Sequence, residues 1–167
     1  MHNELTKNDL DMMQKELDHR RIEVRPQLLE LVKEARAFGD LSENFEYKMA
    51  KQDKNRNEAR IRYLENMIKT STVLPESHNS DGVELYDAVT VYMAEDDETA
   101  TYRVVTTMRQ NALQGLISRE SPVGMALLGA KVGETVRVTV SRDYGYDLEI
   151  RAIEKGADDG SVPLREY

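Results

Sequence analysis

Residues 38–47 read FGDLSENFEY. This stretch ends one run of helical periodicity and opens another. Upstream, apolar residues recur every seven positions at Leu10, Leu17, Val24, Leu31 and Phe38, with Met13 joining early and Leu28 and Ala35 joining late. A seven-residue repeat of this kind is the seam of a helix packed against one partner helix. Pro26 lies inside it and removes one backbone hydrogen bond, which predicts a kink or short break near Val24–Gln27. Downstream, a second helix is predicted from about Glu46 to about Ser71, with its seam at Tyr47, Ala50, Ile61, Leu64 and Ile68 and polar Lys54 and Asn57 at the same phase in the middle. Two long helices joined by so short a connection are antiparallel neighbours. The chain therefore begins as a thin helical hairpin with FGDLSEN at its tip.

Working outward, the period changes after residue 75. PESHNSDGV, residues 75–83, carries turn-forming residues and reads as a linker. Beyond it TVYM, TYRVV, GLIS, TVRVTV and YDLEI are short β-rich segments, and TVRVTV alternates strictly. Among them lies SPVGMALLGA, where Ser121 suits an N-cap, Pro122 suits the first helical position and Gly129 suits the C-terminal stop. The fold class is α+β: an N-terminal antiparallel coiled-coil hairpin and a small, mainly antiparallel β-sheet domain with one short helix. The expected divisions are residues 1–76 for the arm, 77–82 for the linker and 83–155 for the second domain. Residues 156–167, KGADDGSVPLREY from Lys155 on, show no apolar pattern and are predicted to be a mobile tail.

Charge supports two domains. Residues 1–74 hold 14 Lys/Arg and 14 Asp/Glu, whereas residues 75–167 hold 9 and 17, so the net charge of −8 lies wholly in the second half. That acidity argues against nucleic-acid binding by the second half alone. The chain has no cysteine, which excludes disulfides and thiolate metal sites. No apolar stretch is long enough to span a bilayer, and the start does not read as a signal peptide. A cytoplasmic protein without membrane contact is expected.

The tip admits two readings. In one, Gly39 ends the first helix, and Asp40 caps the second with Glu43 in a capping-box-like pair. In the other, Asp40 and Glu43 offer carboxylate oxygens to a divalent cation. Mg²⁺ often takes only one or two protein carboxylates and keeps its waters. The positive end of the helix dipole opposes a cation here, so the tip alone would bind weakly and need a partner to complete the site.

ARAFGDLSENFEY resembles the coiled-coil tip of the bacterial transcript cleavage factors, the Gre family of elongation factors. ISRESPVGMALLGAKVGETV resembles that family's second-domain block, and LTKNDLDMMQKEL and RPQLLELVKEAR resemble its opening. The likeness runs from about Leu5 to about Ile153. It implies an arm that enters the secondary channel of bacterial RNA polymerase. There the tip acids, Asp40 and Glu43 here, help hold a shared Mg²⁺ while the polymerase cleaves the RNA 3′ end of a backtracked complex. It also implies an FKBP-like second domain that docks on polymerase through the segment containing Ser121, Pro122, Leu127 and Gly129. Arg36 and Lys51 match basic arm positions that face the RNA or the polymerase. On this reading the chain is a monomeric helper of another enzyme's nuclease and not an enzyme by itself.

The chain departs from the family pattern at several points. Asp9 stands where an early glycine is usual, and Tyr86-Asp87 stand where Gly-Ser is usual. VVTTMRQN, residues 104–111, replaces the IVG..EAD stretch. Phe45 replaces a small tip residue and is expected to pack on Phe38 or Leu41. A channel-binding regulator that does not cleave is the alternative function. A prolyl isomerase and an independent nuclease are weaker rivals, because both Phe residues lie in the arm and no His adjoins a nucleophile.

Overall fold

The computed structural model describes residues 4–39, 44–76 and 80–166. The chain divides into two units, residues 10–72, and residues 4–9 together with the chain from Val73 on.

The first unit is helical. α1 (Lys7–His19) runs into a π-helical turn at Arg20–Val24, α2 (Arg25–Arg36) follows it directly, and α3 (Phe45–Thr70) packs back against them. At 1.5 Å per residue the 26 residues of α3 extend about 39 Å. The π turn ends two residues upstream of Pro26, so the disturbance overlaps the predicted stretch at Val24 and is centred three to four residues earlier. Pro26 has no N–H to give, and the ladder accommodates the loss by widening one turn. That turn alters the seam. Met13 and Leu17 are buried before it, but after it Ala35 is the buried position while Leu31 is 50% and Phe38 80% exposed. The heptad written in the sequence is read on only one side of the π turn.

Ile61, Leu64 and Met67 of α3 are buried, as is a polar layer midway along the hairpin. There the Arg60 guanidinium, 5% exposed, donates to both oxygens of Glu16, at 2.8 and 3.2 Å. Arg20 donates to Glu16 and to the Asn57 Oδ1. The Asn57 amide in turn donates to the Arg20 carbonyl, 3.4 Å away, at the first residue of the π turn. Burial would raise the Glu16 carboxyl, but hydrogen bonds from Arg60 and Arg20 outweigh it and hold the group below the usual carboxylate range.

The second unit is a five-stranded sheet in the order β5-β4-β3-β7-β6. Its strands are β3 (Ala88–Met93), β4 (Glu98–Val105), β5 (Leu116–Ser118), β6 (Thr135–Thr139) and β7 (Gly145–Glu154), numbered after the two-residue strands β1 (Glu4–Leu5) and β2 (Thr72–Val73). Neighbours are antiparallel except the parallel pair β4–β5. Alternation decides which face is covered: Val89 and Val91 of β3 point into a core with Val104, Val138, Leu148 and Ile150. α4 (Pro122–Leu127) closes that core with Leu127. It lies so close to β5 that a Cβ on Gly124 would stand 2.0 Å from the Ser118 carbonyl oxygen.

The segment after Lys155 is seated rather than free, contrary to the mobile tail its composition predicts. Asp158 forms two 2.9 Å hydrogen bonds with Arg109, Val162 is buried, and the Arg165 N–H donates to the Met108 carbonyl at 2.7 Å. Arg109 is the hub. Its side chain is fully buried and also donates to Asp9 at 3.1 Å and to the Val162 carbonyl at 2.6 Å. Its guanidinium lies 5.5 Å from the centre of the Tyr86 ring. Asp9 is held by reciprocal caps with Thr6, whose N–H donates to the carboxylate and whose hydroxyl accepts from the Asp9 N–H. Tyr86 has φ +70°, a left-handed backbone that suits the glycine expected there better than a tyrosine. Asp9, Tyr86 and Arg109, three departures from the family pattern, thus meet in one cluster with the tail.

Candidate functional site

The residues on either side of positions 40–43 have defined roles. α2 ends at Ala37, and Gly39 has φ +129°, a conformation that L side chains rarely adopt. On the other side the cap of α3 is Asn44, not Asp40. Its Oδ1 accepts the Tyr47 N–H at 3.0 Å, while its Nδ2 donates to the Ala35 carbonyl at 2.7 Å. One amide therefore satisfies a donor at the start of α3 and adds a second hydrogen bond to a carbonyl at the end of α2, which also accepts the Phe38 N–H. Asn offers both a donor and an acceptor, and Asp offers no donor when ionised. This explains why the cap falls four residues later than the sequence pattern suggests.

Asp40 and Glu43 lie outside the described residues. Between the end of α2 and the start of α3, the Arg36 guanidinium stacks 5.6 Å from the Tyr47 ring centre and lies 3.4 Å from its hydroxyl. The hydrogen bond from Arg36, ahead of the charges of Lys51 and Lys54, holds the Tyr47 phenol below its ordinary value. Phe45 does not pack as expected. It is 71% exposed, and Phe38 is exposed as well. Leu41, the other partner expected for Phe45, lies outside the described residues.

Lys51 is exposed on α3 and belongs to a shallow groove lined by Lys48, Lys51, Gln52, Asn55, Arg56 and Ala59. Arg60, further along α3, turns into the polar layer with Glu16. Among the described residues no three His, Cys, Asp or Glu side chains converge on a potential metal position.

In the second unit the expected docking segment splits. The Ser121 hydroxyl accepts the Gly124 N–H at 3.0 Å and donates to the Ser118 carbonyl at 2.7 Å, so it fixes the start of α4. Pro122 is exposed at the first helical position. Gly129 has φ +81°, and its N–H donates to the Val83 carbonyl at 2.9 Å. Leu127 is fully buried in the core and offers no side-chain surface to a partner. In SPVGMALLGA the leucine reads equally well as core or contact, because a six-residue helix is too short for periodicity to separate its faces. The Arg109 cluster had no legible signal, since its members are separated by up to 149 positions along the chain.

Comparison with known proteins agrees with this division. Residues 3–73 match the family model for the transcription elongation factor N-terminal domain, and residues 77–155 match that for the GreA/GreB C-terminal domain. Transcription elongation factor GreA of Leuconostoc mesenteroides is 37% identical over 152 residues, covering 90% of this chain and 95% of that protein. GreA of Geobacillus kaustophilus is 38% identical over 135 residues, covering 80% and 85%. Among solved structures, the transcription factor Gfh1 aligns over 92% of this chain and 97% of its own with 26% identity and a TM-score of 0.46. Both halves of the chain, matched in order by the two family models, make it a member of the GreA/GreB family of transcription elongation factors.

Proposed function

We propose that the chain acts on RNA polymerase by placing its hairpin tip in the secondary channel, where Asp40 and Glu43 stimulate cleavage of backtracked RNA by the polymerase. One observation carries this reading: Asn44, and not an acid, caps α3. The structural duty that would otherwise account for Asp40 is already discharged. The two carboxylates are left for another role in a turn anchored by Asn44 at one foot and Gly39 at the other. Family membership supplies the context of transcription elongation.

Asp40 and Glu43 would hold a Mg²⁺ shared with the polymerase, their hard anionic oxygens suiting that cation. When bound, such an ion stabilises the attacking and leaving oxygens of phosphodiester hydrolysis. The chain's own work is positioning. Asn44 ties the end of α2 to the start of α3, and Arg36 braces Tyr47 beside the turn. Arg36 and Lys51 supply positive charge near the path of the RNA 3′ end. The second domain docks on the polymerase outside the channel through the α4 region, with Ser121 and Gly129 shaping the segment and Pro122 exposed on it. The factor works as a monomer and lacks nuclease activity of its own. Among the described residues no helix is long and apolar enough to cross a membrane.

The test is transcript cleavage on a stalled, backtracked polymerase with Asp40→Asn and Glu43→Gln. Both variants are expected to fold and to bind polymerase as the parent does. Cleavage stimulation should drop about tenfold or more, the scale for losing a partner of transition-state charge. Full stimulation by both variants would overturn the reading. A parent protein that binds in the channel and suppresses cleavage would establish the regulatory alternative.

A further inference from the structure

The chain contains two phenylalanines, and both stand at the feet of the acidic turn with their rings in solvent, Phe38 at 80% and Phe45 at 71% exposure. An exposed ring is costly to keep where nothing covers it. Phe45 also has particular neighbours. Steps of three and four residues place it on the same side of α3 as Lys48, Gln52, Arg56 and Ala59. These are the residues that line the shallow groove along the helix, together with Lys51 and Asn55. The lining contains three cations and two amides and no acid. Among the described residues none of Lys48, Lys51 and Arg56 is in an ion pair. From Phe45 to Ala59 is 14 residues, about 21 Å of helix.

A cationic track headed by an exposed aromatic ring is the arrangement that binds single-stranded nucleic acid. The charges follow the phosphates, and the ring stacks on a base without reading its sequence. A protein wall would equally accept an apolar ring. It gives no account of three unpaired cations and no acid in the adjoining groove, whereas a polyanion does.

We infer that Phe45 is a stacking platform for the 3′-terminal nucleobase of single-stranded RNA, with the Lys48–Arg56 groove receiving the phosphates behind it. The inference rests on the channel reading above and adds to it a specificity-determining residue. Stacking area is larger for purines, so the factor should act faster on RNA ending in a purine. Phe45 thereby becomes the origin of a base preference that the carboxylates cannot produce.

The test uses the full-length protein with polymerase held on backtracked RNA whose 3′ residue is either 2-aminopurine or abasic. With parent protein, the 2-aminopurine fluorescence should be quenched on binding, and Phe45→Ala should abolish that quench while Phe45→Tyr restores it. In cleavage, Phe45→Ala should require about 5- to 100-fold more factor for half-maximal effect on the base-bearing RNA, the range for losing one base–aromatic stack, and should behave as parent on the abasic RNA. An equal loss on both RNAs overturns the inference and identifies a contact with the channel wall. No loss on either also overturns it. A quench without any stimulation of cleavage supports the stacking assignment and overturns the cleavage reading, so the two fail separately.

Discussion

Replacing Arg109 with Met removes the charge at the centre of the second unit while keeping most of the side chain's volume. The cluster has one cation and two carboxylates, Asp9 fully buried and Asp158 nearly so. Arg109→Met leaves both carboxylates without their cation and deprives the Val162 carbonyl of its donor. Breaking a buried ion pair from one side costs about 3–5 kcal/mol, which for a unit of this size is roughly 10 °C or more in thermal midpoint. Asp158→Asn is the informative contrast. It leaves Arg109 paired with Asp9, converts a net charge of −1 to neutrality, and should cost only about 1–2 kcal/mol, the loss of charge-assisted hydrogen bonds. Acidity separates them further. Burial would raise the Asp158 carboxyl, but the hydrogen bonds from Arg109, supported by the Gly160 N–H, hold it below the usual range. A depressed carboxyl contributes stability above its unfolded value and loses it as pH falls through the folded value, so the parent should weaken below about pH 4. In Arg109→Met the Asp158 carboxylate loses its cation, burial dominates, and its protonation becomes favourable. The gap between parent and variant should therefore narrow as pH is lowered from 7 to 4. Near-UV circular dichroism melts across that range are the assay. A gap under about 1 kcal/mol at pH 7, or one that widens toward acid, would refute the assignment of Arg109 as a buried ionic hub.

Asn44→Ala should cost about 1 kcal/mol in arm stability from the lost cap, and Asn44→Asp, which caps but cannot donate to Ala35, should recover only part of it in a helical melt. Gly124→Ala should lower the thermal midpoint of the second unit strongly, because its methyl carbon would meet the Ser118 carbonyl at 2.0 Å. Glu16→Gln leaves Arg60 buried without an anion and should destabilise the hairpin by about 1–3 kcal/mol, an effect that shrinks in the parent comparison as pH falls through the depressed value of Glu16.

Where the sequence was legible, one residue's neighbours along the chain decided its role. The strands at Ala88–Met93 and Thr135–Thr139 follow from alternation, and the Ser121 cap, Pro122 and the Gly129 stop follow from local backbone chemistry. Pro26 announces a disturbance, but which turn absorbs it depends on Asn57, 37 positions away from Arg20. The N-cap of α3 escapes local reading for the same reason. Asp40 and Asn44 are equally good caps locally, and the deciding hydrogen bond is to Ala35 on the other helix. Nothing along the chain pairs Arg109 with Asp158, so composition predicts a loose tail where there is a seated one. The acids of the tip are legible as a pattern in the sequence.

The π turn at Arg20–Val24 has a consequence for how such an arm can evolve. A π turn holds one residue more than the α turn it replaces, and in a helix each residue advances the azimuth by about 100°. Everything from Arg25 to the tip is dialled round by that amount relative to α1. Leu31 and Phe38, in register with Leu10 and Leu17 by the heptad, are thereby turned outward. Deleting a single residue between Arg20 and Val24 would let this turn close as an ordinary α turn, because five π residues turn about as far as four α residues. Phe38 would keep its outward direction and the arm its reach. A lineage could thus gain or lose one residue in this turn without re-aiming the helix beyond it.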